Sequence, residues 1–352
     1  MKSNRNRKIS VFMFLIAVII PTILAGVRDY TIGTDIATYG HWLFIAAKQS
    51  SNPIKFAFYN SDIEFLYSML VFCTAHLFES EHWLYFFTGL LIYGFAMKGL
   101  LKYKNYISTS TAWLCYLFLF YSDTLNAMRQ CIAVAILPLA FSYYQKKDKG
   151  KFFIFVSIAF LFHKTAIFIL IFVGIYELLK RKNDLTMRVG LLLTVSGMLF
   201  AYAKILDAVV NIGILGTKYL KYADGLSFKF SLNPIIIRIP YVFFIALFYI
   251  KFVGSKKERT EKLSADFIVI MMLLEILTAE MRTINTTLYR LSLYFGMYRC
   301  IGIGRLVKTL KLSNRMIVAT ILWILLIVTW IYQNVIQGNN QIYPFTSELI
   351  GL

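Results

Sequence analysis

Charge is scarce in this chain. Asp, Glu, Lys and Arg make up 16% of its 352 residues, against roughly 25% in ordinary globular proteins. No polar segment is long enough to form a separate soluble domain, and neither an internal repeat nor a low-complexity linker marks a boundary. Residues 1–352 therefore read as a single polytopic transmembrane domain. Cysteine is rare as well. Cys73, Cys115, Cys131 and Cys300 lie in or beside apolar runs with no paired spacing, which excludes a disulfide framework and a zinc site. A P-loop, a nucleophile elbow and a Rossmann fingerprint are all missing. With no clustered carboxylate motif either, no metal and no cofactor is expected.

Apolar length is what the chain has in excess. Hydrophobic residues reach 59% and aromatics 17%, with a mean hydropathy of +0.65. A bilayer-spanning helix takes about 20 apolar residues, and roughly a dozen stretches approach that length. The expected fold is all-α: a polytopic integral membrane protein with about 10–12 membrane helices, one of them re-entrant, around an outer-face polar cavity. The start resembles a signal peptide, but Pro21 to Arg28 offers no small-x-small cleavage site, so an uncleaved first span is expected.

The formal charge of +19 would suggest nucleic acid in a soluble protein. Its distribution argues otherwise. Most of the basic residues cluster in short loops, such as Lys2 to Lys8, Lys146 to Lys151 and Lys180 to Arg188. That is the positive-inside pattern, not a nucleic-acid footprint, so no nucleic-acid partner is expected. It places the N-terminus in the cytoplasm and puts the loops over about 27–61 and 207–233, with the tail 337–352, outside. Simple alternation fails between Ser61 and Asn126 unless one apolar stretch does not cross. Asp62–Phe78, short and carrying Asp62, Glu64 and His76, is the one expected to stay on one side.

The stretch from Asp123 to His163 organises the rest. Asn126, Arg129 and Gln130 stand at i, i+3 and i+4 and are expected to share one helix face. A guanidinium at the bilayer centre costs about 2.5–3.5 kcal/mol, so Arg129 either snorkels to the interface or holds something anionic. In this topology Arg28, Arg129, His163, Lys164, Arg238, Arg282 and Arg290 collect at the outer boundary. Asn233 with Pro234 makes a good helix start ahead of Arg238. Thr286, Arg290 and Tyr294 form a row on the penultimate span. Several guanidiniums near helix N-termini make an anion site, since arginine pairs bidentately with phosphate. Asp35, Glu64 and His163 are the candidates for a general base. The chemistry suggested is a lipid-linked phosphate or diphosphate handled at the outer leaflet. Each arginine taken singly also fits an interfacial anchor, and the Trp and Tyr at span ends fit an aromatic belt.

These stretches resemble a known family. The run Arg28…Gly33-Thr34-Asp35…Tyr39 and the acidic helix start at Glu64 are similar to the EpsG family of Wzy-like polysaccharide polymerases. So are Asn126-x-x-Arg129-Gln130-x-x-Ala133, Phe162-His163-Lys164-Thr165-Ala166, Arg290 within Leu288 to Leu291, and the Tyr343-Pro344-Phe345 tail. Two departures are visible: Phe65 stands where a proline is usual, and Thr165 where a serine is commoner. The resemblance implies assembly of capsule, exopolysaccharide or O-antigen at the outer face of the bacterial cytoplasmic membrane. The implied substrate is an oligosaccharide repeat on a polyprenyl diphosphate carrier, and the implied partners are the lipid bilayer and other assembly proteins (a flippase, a chain-length regulator). Arg129 and Arg290 would hold the leaving diphosphate with Arg28 and Arg238 assisting, Asn126 and Gln130 would line the same site, and Asp35, Glu64 or His163 would take the acceptor proton. A flippase of the same lipid-linked sugars is the alternative, and a membrane acyltransferase acting on sugars the third.

Overall fold

A backbone without water must satisfy its own hydrogen bonds, and within one apolar run only a helix does so. The computed structural model describes residues 2–201, 204, 211, 233–252, 258–279 and 288–352, and no strand occurs among them. Most of the expected outer loop over 207–233 lies outside the described residues, as do Arg282 and Thr286.

The helices follow in chain order. α1 (Lys2–Val27) leads to a π-helix (Ala37–Trp42) that runs on into α2 (Leu43–Gln49), then α3 (Pro53–Tyr59) and α4 (Phe65–Leu77). α5 (His82–Lys102), α6 (Thr109–Asn126), α7 (Met128–Gln145) and α8 (Lys149–Phe162) come next, and a 3-10 turn (Lys164–Phe168) separates α8 from α9 (Ile169–Arg181). α10 (Leu185–Phe200), α11 (Asn233–Phe252), α12 (Arg259–Ala279), α13 (Ser292–Thr309) and α14 (Leu312–Trp330) complete the set.

Contacts divide the chain into two compact units. The first comprises Met1–Asn105, Trp113–Ile169 and Leu322–Leu352. Its centre is α7, where Met128 and all residues from Gln130 to Ser142 are buried, so the helix is enclosed on every side. α5 packs against both α1 and α7, and α7 against α8, while α4 touches α2, α3, α5 and α8. The π-helix comes close to α5 at Gly40, where a Cβ would stand 2.7 Å from a ring carbon of Tyr85. The second unit comprises Tyr106–Ala112 and Leu170–Ile321, with α12 packed against α10, α11 and α13.

Among the described residues, two helices are long and apolar enough to cross a bilayer: His82–Lys102 and Leu312–Ile336. This is fewer than the sequence suggests: α1 and α10 count only over their described residues, Phe12–Val27 and Leu185–Gly197, and other helices fall short in length or carry charge. α4 and α8, at 13 and 14 residues, are only about 20 Å long, short of a hydrocarbon core of about 30 Å. α12 carries charge within its apolar run, at Asp266 and Glu275. The outward faces are nevertheless apolar. On α14 only Leu322, Leu326 and Thr329 are buried, while Ile317, Ile324 and Val328 are exposed.

Gly33 carries the sharpest backbone constraint in the first unit. Its φ is +105°, and a Cβ there would meet the Leu125 carbonyl oxygen at 3.0 Å. Left-handed backbone costs a residue with a Cβ about 1–2 kcal/mol. Gly33→Ala is expected to destabilise the protein by about that much, measured as a lower thermal transition in detergent.

Candidate functional site

The site is built at three helix ends of the first unit. Glu64 lies in the turn ahead of α4, Arg129 in the first turn of α7, and His163 in extended backbone at the end of α8. Arg129 is poorly placed for a cation, since a helix N-terminus carries partial positive charge. The Glu64 carboxylate answers both. Its Oε2 accepts from Arg129 Nη1 at 2.5 Å, and its Oε1 faces His163 Nδ1 at 2.8 Å and accepts from the Lys164 backbone N–H at 3.3 Å. The Arg129 guanidinium also lies over the Tyr39 ring, 4.1 Å from its centroid. Tyr39 belongs to the π-helix, and its carbonyl accepts from the Tyr67 hydroxyl at 3.1 Å.

The electrostatics of Glu64 follow from those partners. Burial pushes its carboxyl up, but the hydrogen bond from His163 and the charges of His163 and Arg129 outweigh it and hold the carboxyl at about 2. Glu64 is therefore ionised at any physiological pH and is a poor proton acceptor there. With the carboxylate charged, Nδ1 of His163 is the nitrogen that donates to it, and in the neutral form of the ring Nε2 is then the one left to accept a proton.

A second network sits beside the first. Asn126 ends α6, and the chain leaves helical geometry at Ala127 (φ −81°, ψ 54°) before α7 begins. The face expected for Asn126, Arg129 and Gln130 is therefore not formed, because Asn126 and Arg129 stand on different helices. The Asn126 amide oxygen accepts from the Thr34 hydroxyl at 2.8 Å and the Asp35 N–H at 2.7 Å. Its amide nitrogen donates to Asn340 Oδ1 at 2.9 Å, and the Asn340 amide donates in turn to Asp123 at 3.0 Å. The tail after Gln337 closes over the same loop. Gly33 N–H donates to the Gln341 carbonyl, Asp29 N–H to the Thr346 carbonyl, and Glu348 N–H to the Asp29 carboxylate.

The remaining candidates are dispersed. Gln130 is buried in α7. Arg28 is 1% exposed, donates to the Met128 sulfur at 3.2 Å, and lies 5.2 Å from the Tyr85 ring centroid. Arg238 and Arg290 belong to the second unit. There Arg238 faces Glu275 across 3.4 Å in α12, with Arg299 on the other carboxylate oxygen at 3.4 Å. Arg290 lies half-buried in a 3-10 turn (Leu288–Leu291) before α13. The structure thus brings together Glu64, Arg129 and His163, sets Asp35 against Asn126, and leaves Arg28 in the core.

Two participants escaped the sequence reading. Asn340 stands 214 residues from its partner Asn126, and no periodicity links them. His41 pairs with Glu81 at 2.6 Å and stacks on Tyr30 at 4.3 Å, a second carboxylate–histidine pair. Among the described residues no group of three or more His, Cys, Asp or Glu is arranged to hold a metal ion.

The family model described as EpsG family matches residues 11–347. Compared with curated proteins and with solved structures, the chain gives no match in either.

The Glu64 site carries a pH signature. A folded-state pKa of about 2 against an ordinary 4.5 means a stabilisation that is complete above about pH 4.5 and lost as pH falls through about 2. Acid titration in detergent, followed by circular dichroism, is expected to show this loss. Glu64→Gln should lower stability at neutral pH and flatten that acid limb; an unchanged acid limb would contradict the pairing.

Proposed function

The chain belongs to the EpsG family, and on that premise we propose that it is a multi-pass membrane polymerase of capsular polysaccharide, exopolysaccharide or O-antigen repeats. It works at the outer face of the bacterial cytoplasmic membrane, with its N-terminus in the cytoplasm. Its substrates are oligosaccharide repeats on a polyprenyl diphosphate carrier. The observation that carries the reading is the Glu64 carboxylate held between Arg129 and His163. The exposed apolar faces of helices such as α14 support a lipid environment, since large exposed apolar patches are rare on soluble monomers.

In this reading the acceptor hydroxyl oxygen attacks the anomeric carbon of the donor glycan. The bond from that carbon to the diphosphate oxygen breaks, and its electron pair leaves with the diphosphate. His163 Nε2 takes the acceptor proton. Glu64 is a positioning residue that fixes the His163 tautomer. Arg129 is the guanidinium nearest the dyad, and with the Lys164 ammonium it stabilises charge on the departing group. Arg28, Asn126, Gln130 and Asp35 remain proposed binding residues of the first unit, and Arg238 and Arg290 proposed binding residues of the second.

Carrier-lipid analysis of a deletion strain tests the activity itself. Single repeats on the carrier are expected to accumulate at the outer leaflet, whereas accumulation at the inner leaflet would mean a flippase. Arg129→Lys tests the clamp, because lysine keeps the charge and lacks the planar fork. Protein level is expected to hold while polymerisation falls roughly ten- to a hundredfold, the equivalent of about 1.5–3 kcal/mol. A normal rate in that variant would make Arg129 an interfacial anchor.

A further inference from the structure

A groove of about 410 Å³ opens beside the Glu64 cluster in the first unit. One wall is α3, a helix with a well-defined start: Asn52 accepts from the N–H groups of Ile54 and Lys55, and Pro53 occupies the first turn. It contributes Ile54 and Phe58. Phe65 at the start of α4 and Phe160 with Leu161 near the end of α8 supply the other apolar walls. These side chains are large and open, with Phe58 78% and Ile54 62% exposed. Glu64 and Lys164 are the charged residues in the lining.

The charges select among amphiphiles. Glu64 is already balanced by Arg129 at 2.5 Å. The Lys164 side chain is exposed on the wall, while its backbone N–H is used by Glu64. An apolar slot with a surplus cation on its wall fits a lipid with an anionic head. Its volume falls in the ordinary range of small-molecule sites, roughly 300–1,000 Å³, so it holds a length of chain and not a whole long tail. The groove also shares Glu64 with the dyad. A lipid lying in it with its head at Lys164 shares the groove with Glu64, the carboxylate that pairs with Arg129 and His163.

We propose that this groove is the seat of the first isoprene units of the donor carrier, with Lys164 on its phosphate. The assignment rests on the polymerase reading for the identity of the lipid, and it gives the departing polyisoprenyl diphosphate its path into the bilayer. A lipid leaving elsewhere would pull the diphosphate away from the guanidinium and the imidazole that the transfer needs.

The test is photo-crosslinking of the full-length protein in lipid nanodiscs. Phe58→p-benzoylphenylalanine places a probe on the groove wall, and Phe153→p-benzoylphenylalanine places one on α8 at a residue that does not line the groove. The ligand used is a labelled polyisoprenyl diphosphate. An adduct is expected at position 58 and not at 153, suppressed by excess unlabelled polyisoprenyl diphosphate but not by the same excess of phosphatidylglycerol. Lys164→Gln is expected to lower the yield on the order of tenfold. Equal suppression by phosphatidylglycerol makes the groove a slot for bulk lipid and overturns the proposal, as does equal labelling at the two positions or no labelling at 58. The readout is binding, so a specific adduct in a protein that forms no polymer would overturn the polymerase reading and leave the groove assigned.

Discussion

A single carboxylate holds the first unit's site together. Glu64 is 8% exposed and binds across three chain segments: the α7 head through Arg129, the end of α8 through His163, and the following turn through the Lys164 amide. Each partner needs it for a different reason. Arg129 is a cation at the positive end of a helix dipole. His163 needs a fixed tautomer if one ring nitrogen is to work as a base. The Lys164 N–H falls at a helix break, where no carbonyl within α8 reaches it. Removing one partner of a buried ion pair costs on the order of 3–5 kcal/mol, because the other charge stays behind uncompensated.

The same rule recurs in the second unit, which shows that it is a general condition of this apolar chain. Asp266, 1% exposed, meets Arg188 at 2.7 Å and Asn183. Glu275, fully buried, lies between Arg238 and Arg299. Among the described residues, the buried acids Glu64, Asp266 and Glu275 each have a guanidinium partner, and the buried Asp123 accepts from the Asn340 amide instead. What sets Glu64 apart is its histidine partner. A carboxylate shared by an arginine and a histidine can orient an imidazole, whereas one shared by two arginines can only be neutralised.

Much of this frame is legible in the sequence and part of it is not. The apolar runs mark α5, α7 and α14 closely, and Phe162-His163-Lys164 marks the break after α8, because length and hydrophobicity are local properties. The short helix after Glu64 is legible for the same reason. The division at Ala127 is not, since alanine is the best helix former and no glycine or proline signals a stop. The break is settled by distant contacts, in which the Asn126 amide serves Thr34, Asp35 and Asn340. Glu64 and Arg129 are each conspicuous alone, yet they stand 65 residues apart, and no pattern along the chain pairs them. Pairing of that kind is a property of tertiary packing.

In the proposed mechanism Glu64 acts through His163 and not as a base of its own. A double-mutant cycle on polymerisation rate, with Arg129 intact, tests it most directly. His163→Asn is expected to lower the rate by about 10²- to 10⁴-fold. Adding Glu64→Gln to that variant should then cost only what the lost pairing with Arg129 costs, well below its effect in a chain that keeps His163. Two independent, multiplicative losses would contradict the account and make Glu64 a group with work of its own in the transfer.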